Sequence, residues 1–176
     1  MRRGRIAVLG AGSWGTALAV LLHRNDHHVT LWGRIEDGVD IVARDRTNER
    51  FLPGIIIPME IRVTADFEEA LNEADIVVLS VPSQAFRGVL RQMERSIGED
   101  ALIVNTAKGL EVGTGYRMSE IVKDLWGEDA LQRFAVLSGP SHAEEVGRRL
   151  PTAVAVASKS ATTSIRVQEA FMTRDF

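Results

Sequence analysis

The stretch IAVLGAGSWGTALAV, Ile6 to Val20, decides how the rest of this sequence is read. A short apolar run from Arg5 to Gly10 ends in glycine, as a buried parallel strand does when it leaves its sheet. From Trp14 to Arg24 the apolar residues Leu18, Leu21 and Leu22 recur at helical spacing, with Ala17 and Ala19 small enough for close packing. Between strand and helix lies a Gly-x-Gly-x-x-Gly turn in which each glycine has a separate task. Gly10 permits the tight turn, Gly12 lets the backbone approach a pyrophosphate, and Gly15 lets the helix pack on the sheet. The amides that open the helix then face the phosphates with the positive end of its dipole. The pattern alone is weak, but here it sits inside a strand–helix–strand unit of about thirty residues. It points to a dinucleotide; the plainer alternative is a purely structural turn. Trp14 occupies a free position of the pattern, where its indole either lies along the cofactor or fills the core.

Outward from this unit, short apolar runs alternate with helical segments. HHVTLW (His27 to Trp32) reads as the second strand and Glu36 to Asn48 as a polar-faced helix. A loop with Pro53, Gly54 and Pro58 follows, because proline lacks an amide donor and breaks regular ladders. EIRVTAD is a strand, Phe67 to Asn72 a short helix, and ADIVVLSVP (Ala74 to Pro82) a buried strand. Helices are expected over Gln84 to Ser96 and Gly115 to Trp126, with ALIVNTAK (Ala101 to Lys108) as the strand between them. RFAVLSGP is a strand, SHAEEV a short helix, TAVAVAS the last strand, and Ser160 to Met172 a helix. Such alternation implies parallel pairing through right-handed crossovers. The expected fold is α/β, a Rossmann-like doubly wound and mostly parallel sheet with helices on both faces, forming one dinucleotide-binding domain over residues 1–176. A further strand would be expected after the last helix, where FMTRDF stands instead.

Composition narrows the function. A chain of 176 residues suffices for one domain with a proper core. With 45% hydrophobic and 26% charged residues it is ordinary for a globular protein, and its net charge of −3 offers nothing to nucleic acid or an acidic membrane. The absence of cysteine excludes disulfides, thiolate metal sites and cysteine nucleophiles. MRRGR followed by Ile6 to Leu22 imitates a signal peptide, but Gly10, Gly12, Ser13, Gly15 and Thr16 interrupt the apolar run, which is also too short to span a membrane. A cytoplasmic protein with neither nucleic-acid partner nor membrane insertion is expected.

The end of the second strand bears on which dinucleotide is taken. A carboxylate there binds the ribose 2′-hydroxyl of NAD, and an arginine accommodates the 2′-phosphate of NADP. This strand ends Trp32-Gly33-Arg34, with no acid before Glu36 and Asp37. Arg34 favours NADP, with NAD also usable; its alternative role is a solvated loop residue.

The blocks GAGSWGTALA, NERFLPGI, ADIVVLSVPSQAFRGVL, NTAKGLE and LSGPSHAEEV, in that order, resemble the N-terminal domain of bacterial NAD(P)-dependent glycerol-3-phosphate dehydrogenases over nearly the whole chain. The resemblance implies interconversion of dihydroxyacetone phosphate and sn-glycerol 3-phosphate by hydride transfer, for phospholipid synthesis. It further implies that Ser13 and Trp14 contact the cofactor beside its pyrophosphate, that Arg34 lies at the adenosine end, and that Phe51 flanks the cofactor. Lys108 is implied to touch cofactor and substrate, Gly139 and Ser141 to bind substrate, and Ala143 to border the cofactor. The chemistry suits these roles. Lys108 follows a strand's carboxyl end, the side on which open α/β sheets bind ligands. A lysine there can hydrogen-bond a ketone oxygen and stabilise the alkoxide that develops as hydride arrives. SGPSHAEEV places a glycine, a hydroxyl and free amides at another helix N-terminus, where Ser141 and Glu144 also match a capping box.

Other candidates are weaker. His142 has no identified carboxylate partner, and the four histidines show no metal-ligand spacing, so no metal site is expected. Gly113 to Gly115 imitates half a phosphate loop but follows no strand and reads as a helix start. The adjacent pairs Glu68-Glu69 and Glu144-Glu145 diverge on a helix and form no dyad. Trp126 and Met118 read as core. The family pattern continues into a helical domain that carries the main proton-transferring lysine and the clamp for the substrate phosphate. Residues 1–176 are therefore expected to bind cofactor with little or no turnover alone. Surface normally covered by that domain is expected around Phe171 and Phe176, inviting self-association as a homodimer. Two other readings compete: a dinucleotide-sensing regulatory module, and the cofactor half of another two-domain reductase of the ketopantoate or 6-phosphogluconate type. GSWGTA with KGLE and GPSHAEE argues against the latter.

Overall fold

A computed structural model describes residues 3–176; Met1 and Arg2 of the basic N-terminal run lie outside the described residues. The strands are β1 (Arg5–Leu9), β2 (His28–Trp32), β3 (Thr47–Asn48), β4 (Leu52–Ile56), β5 (Arg62–Thr64), β6 (Ile76–Leu79), β7 (Leu102–Asn105), β8 (Phe134–Ser138) and β9 (Ala155–Ser158). The helices are α1 (Ser13–Arg24), α2 (Val39–Asp45), α3 (Phe67–Leu71), α4 (Ser83–Met93), α5 (Met118–Trp126), α6 (Ala143–Gly147) and α7 (Ala161–Phe171). Seven strands form one sheet in the order β5-β2-β1-β6-β7-β8-β9, and β3 pairs with β4 in a separate antiparallel ribbon.

The apolar runs are continuous because the sheet is covered on both faces. Ile6 and Val8 join one core with Leu18, Leu22, Val167 and Phe171, whereas Ala7 and Leu9 join the other with Phe86, Leu90, Ile121 and Val122. The first layer is thus built on α1, α6 and α7, and the second on α3, α4 and α5. From Gly15 to Leu22 every residue of α1 is buried, which explains Ala17 and Ala19: larger side chains would hold the helix off its neighbours.

Four expectations need correction. The helix over Glu36 to Asn48 is broken. Ile35–Asp37 forms a 3-10 turn, Gly38 at φ 84° redirects the chain, and α2 ends at Arg46 with φ 55°. The Arg46 guanidinium donates to the Ile61 carbonyl at 2.7 Å, fixing that turn. The loop expected around Pro53 contains β4, because a two-stranded ribbon has an unpaired side where proline's missing donor is harmless. β9 runs antiparallel to β8, unlike every other pair in the sheet. Its connection passes through α6, which packs on α1 at the carboxyl end instead of crossing back, so β9 starts where β8 finished.

The residues after α7 also depart from expectation. Phe171 is 1% exposed, and Phe176 is half-buried with its ring 6.4 Å from that of Trp14. The Thr152 N–H donates to the Asp175 carbonyl at 2.8 Å, so this segment turns back over the helices and adds no strand. Phe171 and Phe176 therefore form no open apolar surface. Among the described residues no helix is long and apolar enough to cross a membrane.

Candidate active site

β1 lies between β2 and β6, so the chain winds away from it in both directions and leaves a crevice at its carboxyl end. The glycine turn fills that point. The Gly10 N–H donates to the Trp32 carbonyl at 2.9 Å, and Gly10 adopts φ 116°, which L side chains rarely tolerate. A Cβ on Gly10 would strike the Ser80 carbonyl, and a Cβ on Gly15 would strike the Gly10 carbonyl. Gly12 differs: its φ is −77°, and a Cβ there would meet nothing within 4 Å. The protein's own packing accounts for Gly10 and Gly15. It gives no reason for Gly12. A group approaching the open N-terminus of α1 does, since no side chain caps this helix and its first turn holds no acid.

Asn48 ties the β3–β4 ribbon to this turn. Its buried amide donates to the Ala11 carbonyl at 2.9 Å and to the Thr16 hydroxyl at 2.8 Å. Phe51, at the tip of the ribbon, is half-buried with the Arg50 guanidinium 4.8 Å from its ring centre. Asn48 opens the NERFLPGI block, but its partners are remote in the chain and no local pattern announces them.

A cavity of about 410 Å³ beside the turn brings Ser13, Trp14, Lys108, Ser141 and Ala143 together, and Thr106, His142 and Glu144 also line it. The Lys108 ammonium donates to the Gly139 carbonyl at 3.3 Å. Gly139 is needed for packing, because a Cβ there would lie 2.6 Å from the Ala153 carbonyl oxygen. The Ser141 hydroxyl leans on the Gly139 carbonyl at 3.5 Å, and His142, which is exposed, stands at the N-cap of α6 without a side-chain bond. The expected capping box is thus not formed, because Ser141 lies one residue too early. Trp14 packs against the core and Phe176 and also lines the cavity.

The loop that carries Lys108 is held by partners invisible to sequence reasoning. Asn105, 3% exposed, donates to the Ala107 carbonyl at 3.1 Å and accepts from the Ala107 N–H at 3.0 Å. The Thr106 hydroxyl donates to the Leu79 carbonyl at 3.0 Å. From α4, Gln84 donates to the Leu110 carbonyl at 2.8 Å and accepts from the Val112 N–H at 2.9 Å. Arg87 binds Glu111 through two contacts of 2.7 and 3.0 Å and reaches Asp124 at 2.5 Å. Arg87, with help from the Thr114 hydroxyl, holds the Glu111 carboxyl down at about 2. The blocks VPSQAFRGVL and NTAKGLE thus meet as clamp and clamped loop.

Arg34 and Phe51 do not line this cavity. Arg34 follows β2 on the far side of the glycine turn, with its Nε 2.7 Å from Asp37. Gly113 and Gly115 lie in the loop before α5, whose N-cap is Arg117. Met118 is buried and Trp126 packs on the same core. Among the described residues no group of three or more potential ligands could hold a metal ion.

The profile of the family "NAD-dependent glycerol-3-phosphate dehydrogenase N-terminus" matches residues 5–164. This chain belongs to that family. It is similar to glycerol-3-phosphate dehydrogenase [NAD(P)+] of Syntrophomonas wolfei, at 53% identity over 172 residues covering 98% of this chain and 50% of that protein. The corresponding enzyme of Pelotomaculum thermopropionicum is 46% identical over 173 residues, 98% of this chain and 50% of its own. The crystal structure of glycerol-3-phosphate dehydrogenase from Coxiella burnetii superposes with a TM-score of 0.90 at 36% identity, covering 99% of this chain and 52% of that one. The chain spans about half the length of the curated relatives it matches. A UDP-D-ManNAc dehydrogenase from Pyrococcus horikoshii, at TM-score 0.72 and 16% identity, shares the fold.

Membership in this family sets aside the ketopantoate and 6-phosphogluconate alternatives. The residues present also fit an NAD(P) cofactor on structural grounds. A bare Gly12, an uncapped helix N-terminus and a lysine-lined cavity meet where the winding of the sheet reverses.

Proposed function

We propose that this chain is the cofactor-binding half of an sn-glycerol-3-phosphate dehydrogenase, taking NADP in preference to NAD, with dihydroxyacetone phosphate reduced in its Lys108 cavity. The observation that carries this reading is the open space over Gly12, contiguous with the N-terminus of α1 and unexplained by packing. The backbone of residues 10–15 is suited to hold the pyrophosphate, Ser13 and Trp14 to flank it, and Arg34 to face the adenosine 2′-phosphate. Phe51 and Ala143 border the cofactor in this reading. When bound, the reduced nicotinamide supplies the hydride. Lys108, steadied by the Gly139 carbonyl, donates a hydrogen bond to the ketone oxygen and stabilises the negative charge that grows on it. Ser141 and the backbone at Gly139 bind the substrate. The proton that completes the alcohol is assigned, on the family resemblance, to a lysine outside residues 1–176, so these residues alone should bind cofactor with little turnover.

Separate titrations of NADPH, NADH and dihydroxyacetone phosphate into the chain test this. Saturable binding of both dinucleotides, NADPH the tighter, is expected; binding of neither sinks the reading. In a polypeptide spanning the relatives' full length, Lys108→Met should lower kcat about 10²–10³-fold in an NADPH-oxidation assay. A rate within twofold or so of wild type would remove Lys108 from the chemistry.

A further inference from the structure

We propose that Asp37 sets the balance between NADPH and NADH by holding Arg34 back from the 2′-phosphate. The inference rests on the reading of the glycine turn as a dinucleotide site. Arg34 stands directly beyond Gly33, where a Cβ would lie 2.7 Å from that of Ala11 in the glycine turn, so the end of β2 and the turn are in contact. The 3-10 turn Ile35–Asp37 then folds back. The Asp37 N–H donates to the Arg34 carbonyl at 3.1 Å, the Gly38 N–H to the Ile35 carbonyl at 2.9 Å, and Gly38 leaves at φ 84°. This geometry delivers the Asp37 carboxylate to the Arg34 Nε at 2.7 Å.

An arginine at this place suits a 2′-phosphate, and a carboxylate suits a ribose 2′-hydroxyl. Here one turn presents both groups, each engaged with the other. The Asp37 contact occupies the Arg34 Nε–H, so a 2′-phosphate that takes that edge of the guanidinium must displace Asp37 from it. NADH requires no such exchange. The Arg34 and Asp37 side chains are 62% and 35% exposed, so solvent screens the pair and permits it to open. Asp37 therefore tempers the preference for NADPH instead of abolishing it. Glu36 is exposed on the same turn, and the side-chain hydrogen bond to Arg34 comes from Asp37.

The test is a fluorescence titration of NADPH and of NADH into the wild-type chain, Asp37→Asn, Asp37→Ser, Arg34→Gln and the Arg34→Gln/Asp37→Asn double variant. Asp37→Asn is expected to raise the ratio of NADPH to NADH affinity about three- to tenfold, with Asp37→Ser agreeing in direction. In the Arg34→Gln background the same replacement should move the ratio less than about twofold, because the effect passes through Arg34. An unchanged ratio in both Asp37 variants, or an equal rise without Arg34, overturns the assignment while leaving the cofactor site standing. A wild-type chain that binds neither dinucleotide overturns that site and this inference together.

Discussion

The two banks of the cleft are held by different physics. On one side, residues 10–15 are wedged by backbone against backbone: Gly10 against Ser80, and Gly15 against Gly10. On the other, the loop after β7 is exposed at Lys108, Gly109 and Leu110 and is pinned by side chains from Gln84, Arg87 and Asn105. The first bank cannot change without changing the fold. The second can loosen while the fold survives, since each neutral hydrogen bond there contributes only about 0.5–1.5 kcal/mol. A rigid cradle for a constant phosphate group and an adjustable arm for the reacting centre follow from this difference.

The largest effect should come from breaking the rigid bank. Gly10→Ala or Gly15→Ala puts a methyl group into a backbone carbonyl and should destabilise the chain by about 2–5 kcal/mol in urea denaturation. A midpoint like that of wild type would mean that the wedge is not where stability resides.

The adjustable bank should respond differently. Arg87→Met removes the partner of Glu111 and Asp124 and frees the Lys108 loop, so substrate-dependent turnover in the full-length context should fall more than dinucleotide affinity. Its acid behaviour is also specified. The Glu111 carboxyl is depressed from 4.5 to about 2, so its contribution is full above 4.5 and is lost as pH falls toward 2. The wild-type melting temperature should therefore drop through that window, and the Arg87→Met profile should be flatter there. Parallel profiles would detach Glu111 from the clamp.

The smallest effect lies at the opposite end of the sheet and serves as contrast to both banks. His27 is buried, its Nδ1 accepts the Gly4 N–H at 3.1 Å, and burial pushes its pKa below the ordinary 6.5. Because the folded chain favours the neutral ring, stability is full above 6.5 and declines as pH falls below it. His27→Gln should remove that slope in a thermal melt without altering cofactor affinity at neutral pH. A change in affinity instead would tie the two ends of the sheet together.

Much of this architecture was legible because strands buried on both faces read as unbroken apolar runs, as at Ile6–Leu9 and Ile76–Leu79. The β3–β4 ribbon was not, since Pro53 and Gly54 carry the signature of a loop and only an unpaired edge makes them admissible in a strand. Strand direction leaves no trace in a periodicity of two, so β9 passed as parallel. The site divides in the same way. The family resemblance implied a shared site for Lys108, Ser13, Trp14, Ser141 and Ala143, and they do line one cavity. Asn48, Gln84 and Arg87 could not, because their partners are remote in the chain and each alone resembles an ordinary polar residue. The fold-back of Asp37 onto Arg34 depends on a 3-10 turn that the helical periodicity of residues 36–48 concealed.

Gly12 offers the most direct measurement, because it alone among the three glycines is free of the protein's own atoms. NADPH titration should be run on wild type and Gly12→Val alongside their urea denaturation. The valine should leave stability within about 1 kcal/mol and lower NADPH affinity tenfold or more, the side chain standing where the pyrophosphate belongs. Unimpaired NADPH binding by a folded Gly12→Val chain would contradict that placement.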